Sequence, residues 1–209
     1  MNAGSFARHA LILGSVFMLA AGCGEKNNEP GSGPAPAGPA NTQSAVELQG
    51  EWQSNCLNPS LTGLGERSVL LFSGQDFTRT SQVSGPGGCN SNDVEAVIQG
   101  SYVRGPMIRQ GVHQIDLSTS QATITPRSEA GRLLLVLAKA CGISDWKLGE
   151  AKDITAALGT EGCFETYPKQ TYQIYSIEGN QLFFGSGEDF STVGKRPVEL
   201  ERNYIYTKR

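Results

Sequence analysis

The chain has 209 residues, with 17 Lys plus Arg against 20 Asp plus Glu and a formal net charge of −3. That charge has the wrong sign for binding nucleic acid by neutralising phosphates, and no run approaches the ~20 apolar residues of a membrane-spanning helix. The 26 glycines fit neither coiled coils nor helical repeats, which leaves a turn-rich globular domain behind an N-terminal leader.

Arg8 and His9 precede an apolar run from Ala10 to Ala21, and Gly22-Cys23 follows. A positive start, a short apolar stretch and small residues at its end describe a secretory signal. Leu19-Ala20-Ala21-Gly22-Cys23 resembles the lipobox of bacterial lipoproteins. The resemblance implies removal of residues 1–22 as a signal peptide and attachment of acyl chains, palmitate among them, to Cys23. Ala20 stands where the family favours Leu, with Leu19 one place further out. An ordinary signal whose cleavage site abuts a cysteine is the competing reading. Gly24 after the Cys, rather than Asp, implies the outer membrane under the family's sorting rule. The expected location is therefore the cell envelope, as an outer-membrane lipoprotein facing the periplasm or the cell surface.

Residues 24–46 hold four Pro, four Gly and almost no large apolar side chain. Such a segment buries too little surface to offset its ordering entropy. With Cys23 it reads as a flexible tether, residues 23–46, between a lipid and a folded domain at 47–209. All the aromatic residues except Phe6 and Phe17 lie in that domain.

Within it, period-two alternation marks strands with one buried face. Ser68 to Phe72 and Asp76 to Val83 read as a hairpin turning at Ser73-Gly74-Gln75. From Val94 onward, Val94, Ala96, Ile98 and Tyr102 share a side; from Val112, His113, Ile115 and Leu117 do. Gln121 to Thr125 is a further strand stopped by Pro126. Ser128 to Gly142 reads as a helix: Ser128 caps it, Glu129 suits its positive end, and Leu133, Leu134, Leu137 and Cys141 form its apolar face. A buried strand competes for Leu133 to Leu137. Gln170 to Ile177 and Gln181 to Gly185 read as a hairpin turning at Glu178-Gly179-Asn180. Near the end, Val198, Leu200, Tyr204 and Tyr206 share a face with Arg202 among them.

Apart from Cys23, four cysteines remain: Cys56, Cys89, Cys141 and Cys163. An exported chain meets an oxidising compartment, so an even count suggests two disulfides. Of three possible pairings, Cys56–Cys89 and Cys141–Cys163 each close one local excursion and are favoured. Zinc sites want clustered Cys and His; no Cys-x-x-Cys occurs and His113 is the one histidine beyond the leader. No metal and no cofactor are expected.

The expected fold is mainly β: an antiparallel eight-stranded barrel with one short helix and two disulfides, a sandwich being the alternative. Gly50-Glu51-Trp52 resembles the Gly-x-Trp start of lipocalins and related calycin barrels. The resemblance implies that Trp52 plugs the closed end of the barrel and that a basic residue of the last strand packs over it, Arg202 or else Arg209. Glu165-Thr166-Tyr167 matches the family's Thr-Asp-Tyr poorly. A core aromatic of any β domain is the plain alternative for Trp52.

Chemistry is thinly represented. A catalytic triad needs a histidine base, and His113 sits on an apolar strand face. Glu188, Asp189, Asp145 and Glu150 could serve glycoside chemistry, but nothing in their spacing pairs them. The glycine-rich Gly185–Asp189 lacks the phosphate-loop Lys, and oxygen-rich Gly85–Asp93 lacks calcium-loop spacing; both read as turns. No enzyme activity is expected. Trp146, Tyr172, Tyr175 and His113 are the candidate ligand contacts. The expected function is binding of a small apolar ligand inside the barrel. The alternative is a filled barrel that meets an envelope protein as an inhibitor or scaffold. The expected partners are the membrane, through the lipid, and that ligand or protein.

Overall fold

A computed structural model describes residues 48–57, 64–86, 88–164, 168–186 and 193–209. The signal, Cys23 and the tether lie outside these residues, as do Glu165–Tyr167, Glu188 and Asp189. The strands are β1 (Gly50–Ser54), β2 (Leu64–Ser73), β3 (Asp76–Pro86), β4 (Val94–Arg109), β5 (Val112–Pro126), β6 (Lys152–Asp153), β7 (Gln170–Glu178), β8 (Gln181–Phe184) and β9 (Tyr206–Lys208). One helix, α1 (Glu129–Leu137), follows β5.

Every pairing is antiparallel. Strands β1-β2-β3-β4-β5-β7-β8-β9 pair in that order and β9 returns to β1, which closes an eight-stranded barrel. The short β6 pairs with the upper part of β5, at Thr123 and Ile124. Closure removes the exposed edges that an open sheet would carry. The favoured disulfides are both present, Cys56–Cys89 and Cys141–Cys163, with sequence separations of 33 and 22. Loops of that length correspond to about 3–4 kcal/mol each in the chain-entropy account.

Because neighbouring strands alternate in direction, the barrel has two unlike ends. Three tight hairpins, at 73–76, 109–112 and 178–181, share one end with the start of β1 and the finish of β9. The long connections and α1 occupy the other end. We call these the hairpin end and the loop end.

Alternation delivers one continuous core. Trp52, Leu70, Phe72, Phe77, Ala96, Ile98, Tyr102, Ile115, Ala122, Tyr175, Leu182 and Tyr206 point inward and pack together, each worth about 1.5–3 kcal/mol of burial for the larger aliphatic and aromatic groups. Val112–Leu117 and Gln121–Thr125, read above as two strands, are one strand, β5. Its register slips by one residue opposite Gln99/Gly100, where a side chain on Gly100 would meet the Ser118 carbonyl at 2.0 Å.

The helix is shorter than its sequence suggests and turns a different face inward. Ser128 caps it, its Oγ accepting from the Gly131 N–H at 3.0 Å. Gly131 is buried against the Asp93 carbonyl. That contact fixes the helix rotation, so Leu135, one turn on, enters the core while Leu133 and Leu137 face solvent. The helix ends at Leu137, and left-handed backbone at Lys139 and Cys141 reverses the chain before the disulfide. The C-terminal region also departs from expectation. Of the residues after Val198, only Tyr206–Lys208 form a strand; Leu200 makes an isolated bridge to Gly185 and Val198 is exposed. The segment lies over the outer face of β7 and β8 instead, with Pro197 packed on Gly185.

Candidate functional site

The hairpin end of the interior is built around Trp52. Gly50 starts β1 at φ +107°, a conformation side chains rarely adopt. Trp52 is fully buried and its Nε1 donates to the Leu48 carbonyl at 2.7 Å. The cation over its ring is Lys208, with Nζ 5.1 Å from the centroid. The expectation of Arg202 is therefore corrected: Arg202 stands over Phe183 at 4.5 Å and pairs with Glu178. Register explains the exchange. Trp52 and Lys208 are direct cross-strand partners, whereas Arg202 precedes β9 and reaches the outer face. Arg209, the other candidate, pairs with Glu51.

His113 and Tyr175 are also cross-strand partners, and their rings stack with centroids 5.5 Å apart. Arg104 joins them, its Nε donating to the Tyr175 hydroxyl at 2.6 Å. Tyr172 is one residue out of phase with Gln173 and Tyr175 and lies on the outer face. There Arg196 covers its ring at 5.5 Å. Trp146 is buried in the excursion between β5 and β7, its Nε1 without a partner. The four candidate ligand contacts are thus not one site: His113 and Tyr175 meet, and Tyr172 and Trp146 are elsewhere.

Arg196 itself was not singled out from the sequence. Its guanidinium donates to the carbonyls of Ile115 at 3.2 Å and Gln173 at 2.6 Å, and to Asp116 at 2.5 Å. It pins the return segment to β5 and β7, which brings Pro197 against Gly185.

Inside the barrel toward the loop end, the core becomes polar. Arg79 shares the inward side with Phe77 and Ser81. Its Nε donates to Ser81 Oγ at 3.1 Å and its Nη2 to Glu66 at 3.1 Å. The Ser68 and Ser81 hydroxyls lie 2.8 Å apart, and the Tyr204 hydroxyl donates to Ser68 Oγ at 3.0 Å. Ser54 Oγ accepts from the Ser68 N–H at 2.8 Å. These groups satisfy one another, as buried polar groups must. An arginine on the inward side of the 76–83 alternation was the available sequence signal for this network.

No protein-family model and no curated protein matches this chain.

Two depressions open among the described residues. One depression of about 300 Å³ at the hairpin end is lined by Trp52, Ile177, Gly179 and Lys208. Another of about 330 Å³ runs beside β1 and β9, from Gln53 to Arg209. Among the described residues no group of three or more His, Cys, Asp or Glu gathers as a metal site. Asp145 and Glu150, two of the loose carboxylates, both reach Lys152, at 2.7 and 3.4 Å. Lys152 holds the Asp145 carboxyl below the usual carboxylate range, chiefly through its hydrogen bond.

Proposed function

We propose that this protein is a lipid-anchored envelope barrel whose interior is structural and whose loop end meets a protein partner. The burial of the interior carries the reading. Trp52, Ile115, Leu182 and Ser68 are 0% exposed and Tyr175 is 2% exposed. A cavity able to hold an apolar ligand would leave its lining accessible to a water-sized probe, and these side chains are not. The packing of apolar groups and of the Arg79 network supports a filled interior over a carrier's cavity. The filled-barrel reading therefore stands ahead of the apolar-ligand reading.

The partner surface is supported by α1. Leu133 and Leu137, one helical turn apart, are 49% and 77% exposed, and Leu148 is 50% exposed. The anchor is supported by the lipobox-like residues ending at Cys23, by the composition of 24–46, and by two disulfides suited to an oxidising compartment. All four domain cysteines are bridged, so none of them offers a thiol nucleophile.

A photo-crosslinking residue at Leu137 in the full chain, irradiated in cells, tests this function. Discrete protein adducts that disappear with Leu133→Asp are expected. Absence of protein adducts would remove the reading. In parallel, Cys23→Ser is expected to move the protein from the membrane to the soluble fraction, and an unmodified Cys23 by intact mass would contradict the anchor.

A further inference from the structure

We propose that the hairpin end faces the bilayer and that the β4–β5 tip, residues 103–111, enters its anionic headgroup layer. This rests on the reading that Cys23 is lipidated, and it adds a second contact and an orientation to that anchor.

β3 pairs with β4 only as far as Ser101, yet β4 runs on to Arg109 with β5 beside it. The resulting ribbon extends past the β2–β3 turn. Three of its apolar side chains are open to solvent: Val103 is 68% exposed, Met107 60% and Ile108 43%. Residues 103–111 contain Arg104 and Arg109 and no acid. Arg104 reaches back to Tyr175 and Arg109 meets Glu199 at 3.5 Å, an exposed pair that contributes little by itself. At the same end Glu51 and Glu178 pair with Arg209 and Arg202, and Asp76 stands exposed in the β2–β3 turn. Apolar side chains flanked by arginines match the chemistry of an anionic lipid interface.

The occupant follows from where the chain enters. Leu48 lies at the hairpin end, next to β1, its carbonyl on Trp52 and its neighbour Gln49 bonded to Gly74 and Tyr102. The chain thus enters the described fold at the same end as the tip, and the segment read from its composition as a tether, residues 24–46, joins the barrel there. A coil of that length has a root-mean-square span of roughly 25 Å, so the anchor holds this end near the bilayer at high effective concentration. A weak interfacial contact is then sufficient. Pro106 lacks the N–H that an added strand would need, which disfavours a peptide strand on the open edge.

The test uses the full chain isolated from cell membranes and reconstituted into phosphatidylethanolamine–phosphatidylglycerol vesicles containing brominated acyl chains. Tryptophan is introduced by Met107→Trp at the tip or by Leu137→Trp at the loop end, with the wild-type signal subtracted. Bromine quenches over short range, so the tip reporter is expected to be quenched at least about twofold more, as for an interfacial residue. Ile108→Asp is expected to abolish the difference. Equal quenching of the two reporters, or stronger quenching at Leu137→Trp, overturns the orientation. If that occurs with an acylated Cys23 by intact mass, the anchor stands and only the tip contact fails. An unmodified Cys23 with no flotation removes both.

Discussion

Gly131 of α1 lies so close to Asp93 that a Cβ at the glycine would sit 1.9 Å from the Asp93 carbonyl oxygen. The same carbonyl accepts from the Arg127 N–H at 2.8 Å, and the Asp93 carboxylate accepts from the capping Ser128 hydroxyl at 2.6 Å. The helix is therefore docked on the β3–β4 connection through its first turn. Gly131→Ala should gain up to about 1 kcal/mol of helix propensity and lose about 1–3 kcal/mol to the forced displacement. Urea denaturation is expected to show net destabilisation, whereas Ala at a solvent-facing helix position would stabilise.

The carboxylate at that junction gives a pH signature. Hydrogen bonds from Ser128, then Ser91, then the Gly85 N–H hold the Asp93 carboxyl below its ordinary range. A folded-state value below the unfolded one stabilises the native state above the unfolded pKa, about 3.9 for Asp. That contribution is lost as pH falls through the lower folded value. The wild type should lose more stability between neutral pH and the acid limb than Asp93→Asn does, as read by thermal melts across that range. Parallel melting curves would contradict the assignment.

Arg196 reaches two cross-strand carbonyls and one carboxylate with its planar fork. Arg196→Lys offers a single point of charge and cannot reproduce that geometry. It should cost about 1.5–3 kcal/mol, the range for hydrogen bonds to charged groups. Hydrogen exchange should rise along the segment around Pro197 and leave β1–β3 protected.

Lys208, not Arg202, covers Trp52. Lys208→Ala should shift the indole resonance that Trp52→Phe deletes and cost about 0.5–1 kcal/mol, as expected for an exposed cation over a ring. Arg202→Ala should leave that resonance in place. Trp52→Ala removes a fully buried aromatic and should cost about 3–5 kcal/mol.

The barrel, two of its three hairpins and both disulfides were legible because they rest on local signals. Alternation in Val94–Tyr102 fixed which side faces inward, Gly74 and Gly179 marked tight turns, and each cysteine pair closes one excursion. Long-range geometry was not legible in the same way. Arg202 and Lys208 both lie near the chain's end on apparently equivalent sides, and only the register of Trp52 with Lys208 distinguishes them. The face of α1 was misread because the strongest apolar residues, Leu133 and Leu137, point outward. A glycine chosen for close approach to Asp93 sets the rotation, and glycine carries no hydrophobic signal. Tyr172 and Tyr175 were grouped by proximity in sequence, although their odd spacing puts them on opposite faces of β7. Arg79 was not singled out from the sequence, because its partners Glu66 and Ser68 come from another strand, and Tyr204 joins the network only through Ser68.

The filled interior is tested most directly by titrating the full chain with a fluorescent fatty acid while following both probe and tryptophan emission. A packed barrel predicts no saturable binding and no quenching of Trp52, with any weak signal insensitive to Arg79→Ala or Trp52→Phe. Saturable one-to-one binding, displaced by unlabelled fatty acid and lost when Trp52 or Tyr175 is changed, would show an opening inside the strands and contradict the account.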